Sequence, residues 1–498
     1  MKTIPLLFAL IALGNINVSG QLSVSNVANG SIQISIPSNT NAEYFLERST
    51  DLKEWERMGG ILPGTGSAIT WKDSSTNSFS FYRASISPLV NAPLYGIDFS
   101  PYLDGQSPET NFAVSRSQIE SRMHPLIPRT GWIRTFSMVD GLQVSGQVAH
   151  QFGLKAALGA WLGPETTPAG ISANQINISN LITAGLAGEA DLLIVGSEVL
   201  QRGDLPVSNL VAYINQVRAA VPGVPVATAD TYSSWMSSFN SELLDASDVL
   251  LVNFYPFWQG IAVEDGASTV YQQYINMVWY AGSKPVWISE TGWPSAGQAV
   301  GDAVPSPQNA AKYFSDVVTW ARFYGVPFFY FEGYDEGWKS DEGAVGPNWG
   351  IWQSDGTLKP GMEPTFDNRI SSTNWNAPID GAGIPSLSFS NVPAVGDMTN
   401  LYVSGTASHV SPFSVFLCLY IQVNGSWYQK PYYTAPYTAI NPQGTWQCEY
   451  ATGGQDIYAT NFTAFLFPTN YSPPFVFGQP LPAELSSNAI ASATASRL

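Results

Sequence analysis

The sequence predicts an α/β protein: a (β/α)8 TIM barrel flanked by a small N-terminal β domain and a C-terminal β-sandwich. Three observations carry that reading. Between residues 92 and 365, eight short apolar runs rich in β-branched and aromatic residues alternate with helix-like stretches. Residues 21–88 and 380–480 alternate at the strand period instead. The 498-residue length exceeds what a single hydrophobic core organises, so several domains are required.

The chain opens on an export signal over residues 1–20. Lys2 supplies the charge, Ile4 to Leu13 the apolar stretch, and Val18-Ser19-Gly20 a small-residue cleavage site before Gln21. The stretch is too short to cross a bilayer, so the mature protein is expected to be secreted or extracytoplasmic, without membrane attachment. Residues 21–88 form the N-terminal β domain, with Ser31-Ile32-Gln33-Ile34-Ser35-Ile36 and Phe79-Ser80-Phe81-Tyr82-Arg83 alternating as half-buried strands. The stretch from Tyr44 to Trp55 resembles small sandwich modules of bacterial exported proteins. A short linker, Ser87 to Pro93, follows.

The eight barrel runs begin near Leu94, Trp132, Leu154, Asp191, Val224, Asp248, Lys284 and Val326. Helical stretches such as Ser208 to Val221 and Gln308 to Tyr324 lie between them. Strands that are apolar throughout are buried on both faces, which signifies a parallel sheet. Eight such units over this length close a barrel. An open doubly wound sheet competes, but the Gly-rich phosphate loop expected after its first strand is missing. From residue 380 to 480, Val415 to Val423, Trp446 to Tyr450 and Phe462 to Leu466 read as strands, and Asn424-Gly425 as a hairpin turn. Residues 481–498, rich in Ser and Ala, are expected to be a flexible tail.

Composition narrows the chemistry. Twenty-one basic against 38 acidic residues give a net charge of −17, which repels nucleic acid. Three histidines, His124, His150 and His409, and two cysteines, Cys418 and Cys448, leave Ser–His–Asp, Cys–His and His-zinc chemistry short of parts. No metal and no cofactor is expected, and any catalysts should be carboxylates. The two cysteines either form a disulfide, which an oxidising compartment permits, or remain buried thiols.

Barrel active sites sit at the C-terminal strand ends. Strand four ends Gly196-Ser197-Glu198, strand six Asn253-Phe254-Tyr255, strand seven Ser289-Glu290, and strand eight Tyr334-Asp335-Glu336-Gly337-Trp338-Lys339. Glu198 and Glu290, three strands apart, face each other across such a mouth. Glycosidic cleavage requires such a pair: one carboxylic acid protonates the leaving oxygen, and a second group attacks or activates water opposite. Six tryptophans at or after strand ends, Trp161, Trp258, Trp293, Trp338, Trp349 and Trp352, are candidate sugar platforms or loop-packing residues.

The stretches Phe99-Ser100-Pro101-Tyr102, Ile133-Arg134-Thr135-Phe136, Val195 to Asp204, Ser289 to Ser295 and Phe331 to Lys339 make residues 92–365 resemble glycoside hydrolase family 17, the β-1,3-glucanases. The resemblance implies Glu198 as general acid/base and Glu290 as nucleophile. It implies that Tyr255 hydrogen-bonds the nucleophile, and that Glu332, Glu336 and Lys339 bind sugar hydroxyls or organise the carboxylates. Ser197, Trp293 and Trp338 complete the expected substrate contacts. Family members usually carry Asn before the acid/base, where its amide contacts the sugar 2-hydroxyl; Ser197 is shorter and offers one donor rather than two. The expected partner is a β-glucan polysaccharide or oligosaccharide, handled by a monomer. A β-1,3-glucanosyltransferase, a clan-related β-1,4- or β-1,6-glycosidase and a non-catalytic glucan-binding barrel remain alternatives. For the terminal domains, polysaccharide binding, through Trp427, Tyr428, Tyr432 and Tyr433 in the sandwich, stands beside a spacer role.

Overall fold

The computed structural model describes residues 22–26, 32–38, 42–50, 56–63, 65, 67–73, 80–88, 93–238, 241–366 and 377–497. The expected export signal at residues 1–20 and most of the expected linker before Pro93 lie outside them. Residues Asn91–Phe366 make one compact unit.

That unit is the barrel. Its strands are Leu94–Asp98, Thr130–Arg134, Lys155–Ala160, Leu192–Ser197, Val226–Thr231, Leu250–Asn253, Val286–Glu290 and Phe329–Tyr330, hereafter barrel strands one to eight. All run parallel, each beside its sequence neighbour, and strand eight returns to strand one. A parallel bridge between Ile288 and Phe328 closes the ring. Strand four is buried at every position, as its unbroken Leu-Leu-Ile-Val-Gly-Ser sequence requires.

Helices wrap the outside. Pro168–Leu186 begins where the Thr167 hydroxyl accepts from Gly170 N at 3.1 Å, with Pro at the first turn where no N–H is needed. Pro307–Tyr324 repeats the device with Ser306 and stops at Gly325, which takes the left-handed conformation. Tyr95, Trp132, Trp287 and Phe329, from strands one, two, seven and eight, pack ring against ring with centroids 5.5–6.5 Å apart. They floor the barrel, and polar strand ends occupy the opposite mouth.

The N-terminal β module has two three-stranded antiparallel sheets around Ile34, Ile36, Tyr44, Leu46, Trp71 and Tyr82. Inside it the Arg48 guanidinium grips Asp73, which also accepts from the Tyr82 hydroxyl at 2.7 Å. The C-terminal module is a sandwich of a three-stranded and a five-stranded sheet enclosing Val403, Leu417, Leu419, Ile421, Trp446 and Leu466. Cys418 and Cys448 are free and buried in it.

The expected flexible tail is corrected here. Ala483–Asn488 is helical, and Ala491–Ser496 is a strand antiparallel to Asn461–Leu466. Its Ala-Ser-Ala-Thr-Ala-Ser alternation is strand-periodic, but small side chains hide the signal.

Candidate active site

Glu198 follows strand four directly and takes φ 55°, a left-handed conformation unusual for a residue with a Cβ. Two backbone bonds hold it there. Its N–H donates to Ala229 O at 2.8 Å, and its carbonyl accepts from Arg202 N at 2.9 Å. Gly196, at φ 79°, starts the same turn. The Glu198 carboxyl accepts from Asn253 Nδ2 at 2.8 Å. Burial, and next to it the charge of Glu290, pushes this carboxyl up from 4.5 to about 7, against the Asn253 bond that favours the anion. Glu198 therefore holds a proton near neutrality.

Glu290 ends strand seven, where a register shift after Val252 makes Asn253 of strand six its pairing partner. Beside it, Gly292 is obligatory: a Cβ would stand 2.0 Å from Phe331 O. Donors converge on the Glu290 carboxyl. Arg134 Nη1 donates to Oε1 at 2.8 Å, Ser197 Oγ to Oε1 at 3.2 Å, and Tyr255 OH to Oε2 at 2.8 Å. Burial, with Glu290 behind it, drives the Tyr255 phenol well above its usual range, so it remains a donor. Arg134 is fully buried. Its Nη1 also reaches Asp98 Oδ1 and Ser289 O at 3.0 Å each, and Nη2 reaches Ser197 Oγ at 3.0 Å. Ser289 Oγ in turn donates to Asn253 Oδ1 at 2.6 Å. One network thus fixes both glutamates in different surroundings.

Strand eight supplies a second cluster. Lys339 Nζ lies 2.5 Å from Glu332 and 2.9 Å from Glu336. Burial alone would lower the Lys339 ammonium, but the two carboxylates outweigh it and raise it. Glu336 also accepts from Ser100 and from Trp338 Nε1 at 3.0 Å. Glu336, Lys339 and Trp338 line the cleft, whereas Glu332 is 1% exposed and acts on Lys339 from beneath.

The tryptophans separate by burial. Trp293 is 1% exposed, donates to Val304 O and packs on Phe257 and Tyr313, so the expected substrate contact is corrected to a packing role. Trp349 and Trp352 are also buried. Trp161 and Trp258 are open, at 42% and 43%.

Sequence reasoning passed over Asp98, Arg134 and Asp230 as site residues. Each is a buried polar group at a barrel strand's C-terminal end, so the strand-end question applied to strands one, two and five would have found them. Asn253, noted as a strand end, turns out to bridge Glu198 and Ser289.

Two cavities, about 630 and 640 Å3, meet at the pair. Both are lined by Glu198, Glu290, Phe331 and Glu342; one continues past Trp161 and Trp338, the other past Tyr255 and Trp258. The result is a groove with an arm on each side of the glutamates. Among the described residues no group of acidic, histidine and cysteine side chains is arranged to hold a metal ion.

A family model for the BtgE/BtgC glycoside hydrolase domain matches residues 96–350. The glucan 1,3-beta-glucosidase BGL2 of Candida albicans is 30% identical over 257 residues, 47% of this chain and 82% of that protein. The glucan 1,3-beta-glucosidase of Saccharomyces cerevisiae is 28% identical over 275 residues, 51% of this chain and 87% of that protein. The glycoside hydrolase family 17 β-1,3-glucanosyltransferase from Rhizomucor miehei is a solved structure with 31% identity and a TM-score of 0.48, covering 54% of this chain and 96% of its own. The matched region coincides with the barrel and contains both glutamates. The chain belongs to the BtgE/BtgC glycoside hydrolase family.

Proposed function

We propose that this protein is a retaining glycosidase acting on β-1,3-glucan, with Glu290 as nucleophile and Glu198 as general acid/base. The observation that carries the assignment is the asymmetry of the pair. Glu290 receives an arginine and two hydroxyls, the surroundings of a carboxylate. Glu198 receives one amide and is pushed up to about 7, the surroundings of an acid.

In the first step a Glu290 oxygen bonds to the anomeric carbon as the glycosidic C–O bond breaks, and Glu198 gives its proton to the departing oxygen. In the second, Glu198 as carboxylate takes a proton from water, whose oxygen displaces Glu290 and restores the starting state. A sugar hydroxyl in place of water makes the same step a transfer. The β-1,3 linkage is proposed from the glucan 1,3-beta-glucosidase relatives, and the two-armed groove suits a chain lying across the pair. A substrate of this kind also fits the export signal read at residues 1–20; no described helix is long and apolar enough to cross a membrane.

Azide rescue tests the roles. With an aryl β-laminaribioside, Glu290→Ala should be inactive and, with azide, form the α-glycosyl azide. Glu198→Ala should form the β-azide through the covalent intermediate. Swapped anomers, or undiminished laminarin turnover by Glu290→Ala, overturn the assignment.

A further inference from the structure

Trp161 follows strand three and faces the groove arm that also holds Trp338. It is 42% exposed, in a barrel whose other large aromatics are mostly buried. The guanidinium of Arg202 lies against one face of the Trp161 indole, 4.1 Å from the ring centroid.

Arg202 is itself fixed in its own plane. Its Nε meets Asp204 at 2.7 Å, Nη1 donates to Ser197 O at 2.6 Å, and Nη2 donates to Leu162 O at 3.0 Å. Leu162 is the residue after Trp161, and Ser197 the residue before Glu198. A single planar cation therefore ties the indole's backbone to the backbone that carries the acid. Such a plane cannot rotate without breaking all three bonds, so the ring it backs is held still.

We propose that the free face of Trp161 is a stacking platform for a glucosyl ring of the substrate chain, and that Arg202 is a positioning residue joining that subsite to Glu198. The proposal rests on the assignment of Glu198 as acid/base. The C–H face of a β-glucosyl ring is flat and apolar, which suits an indole whose other side is occupied by a cation. Binding there costs little ordering, because the platform is already rigid. The charged and polar groups that act on the Glu198 carboxyl are Glu290, Asn253, Asp230, Arg202 and the Tyr255 phenol. Of these Arg202 alone is cationic, so it favours the carboxylate form.

Kinetics of the full chain on laminari-oligosaccharides from the disaccharide to the hexasaccharide test this. Trp161→Ala should lower kcat/KM at least tenfold on chains long enough to reach the arm. It should change it less than twofold on the shortest oligosaccharide cleaved, and leave the alkaline limb of the pH profile in place. Trp161→Phe, which keeps a smaller platform, should fall between. Arg202→Met should show the same length dependence and also move the alkaline limb to higher pH, because a cation near Glu198 is gone. A merely structural arginine would not move that limb upward. A Trp161→Ala loss equal at every chain length, or absent at all of them, overturns the platform; an unmoved limb in Arg202→Met overturns the coupling. Failure of the acid/base assignment would appear separately, in the azide products of the glutamate variants.

Discussion

A glutamate kept protonated by its surroundings is a stored cost, and Glu198→Gln should release it. Burial and the neighbouring Glu290 raise the Glu198 carboxyl from 4.5 to about 7. At about 1.36 kcal/mol per pH unit, a rise of about 2.5 corresponds to about 3.4 kcal/mol. Glu198 lines an open groove, so solvent screening trims this to about 2–3 kcal/mol. The sign follows from linkage. A carboxyl whose folded value is raised contributes nothing adverse below 4.5, where it is protonated in both states. As pH rises from 4.5 to about 7 the unfolded chain gains an anion that the folded site resists, so stability falls across that window and levels off above it. Gln has the same shape, stays neutral and can still accept from Asn253. The variant should match the parent at pH 4 and exceed it at pH 8.5. For a domain of this size that is an increase in Tm on the order of 5–10 °C in the barrel's transition. Differential scanning calorimetry of the full chain at the two pH values reads it directly. A Tm difference independent of pH would refute the claim that Glu198 carries a proton-linked cost, while the lost activity of the variant would be expected either way.

Two further substitutions probe the nucleophile's supports. Arg134→Met removes the cation shared by Asp98 and Glu290, leaving two buried carboxylates uncompensated; we expect about 3–5 kcal/mol of destabilisation in chemical denaturation and a kcat loss of more than about a hundredfold, and a variant with unchanged stability would contradict the described network. Tyr255→Phe deletes one charge-assisted bond to Glu290, worth about 1.5–3 kcal/mol, so kcat on laminarin should drop roughly 10- to 100-fold with the far-ultraviolet circular dichroism spectrum unchanged; wild-type kcat would show that the bond does not matter to turnover.

The barrel was legible because its strands are buried on both faces, and that writes itself as runs such as Leu192-Leu193-Ile194-Val195 with polar residues only at the ends. The same rule made Glu198 and Glu290 visible. It did not make Arg134 stand out, because a charge inside a barrel is explained only by its partners. Those partners, Asp98 and Glu290, lie 36 and 156 residues away in the chain. The tryptophans failed for a related reason. Trp293 and Trp161 occupy similar places after strand ends, and only tertiary packing decides that Phe257 and Tyr313 cover the first while the second stays open. The C-terminal strand Ala491–Ser496 escaped notice because it is held mainly by backbone pairing along Asn461–Leu466 rather than by bulky side chains.

Ser197 is where sequence and structure together say more than either alone. A serine hydroxyl has one proton, and here it goes to Glu290 Oε1 while Arg134 occupies a lone pair. Nothing remains at this position to donate to a sugar hydroxyl, so the shorter side chain has become part of the nucleophile's support. Asn253 differs. Its Nδ2 carries two N–H groups, one spent on Glu198 Oε1, and it lines the groove beside the pair. Its carbonyl is already held by Ser289, which fixes the amide's orientation. Two strands further round from Ser197, Asn253 therefore keeps one N–H that is not spent on Glu198. A sugar contact made from there would approach along a different direction, so the serine at residue 197 is expected to bear on which sugar orientation is preferred more than on whether the two glutamates can react.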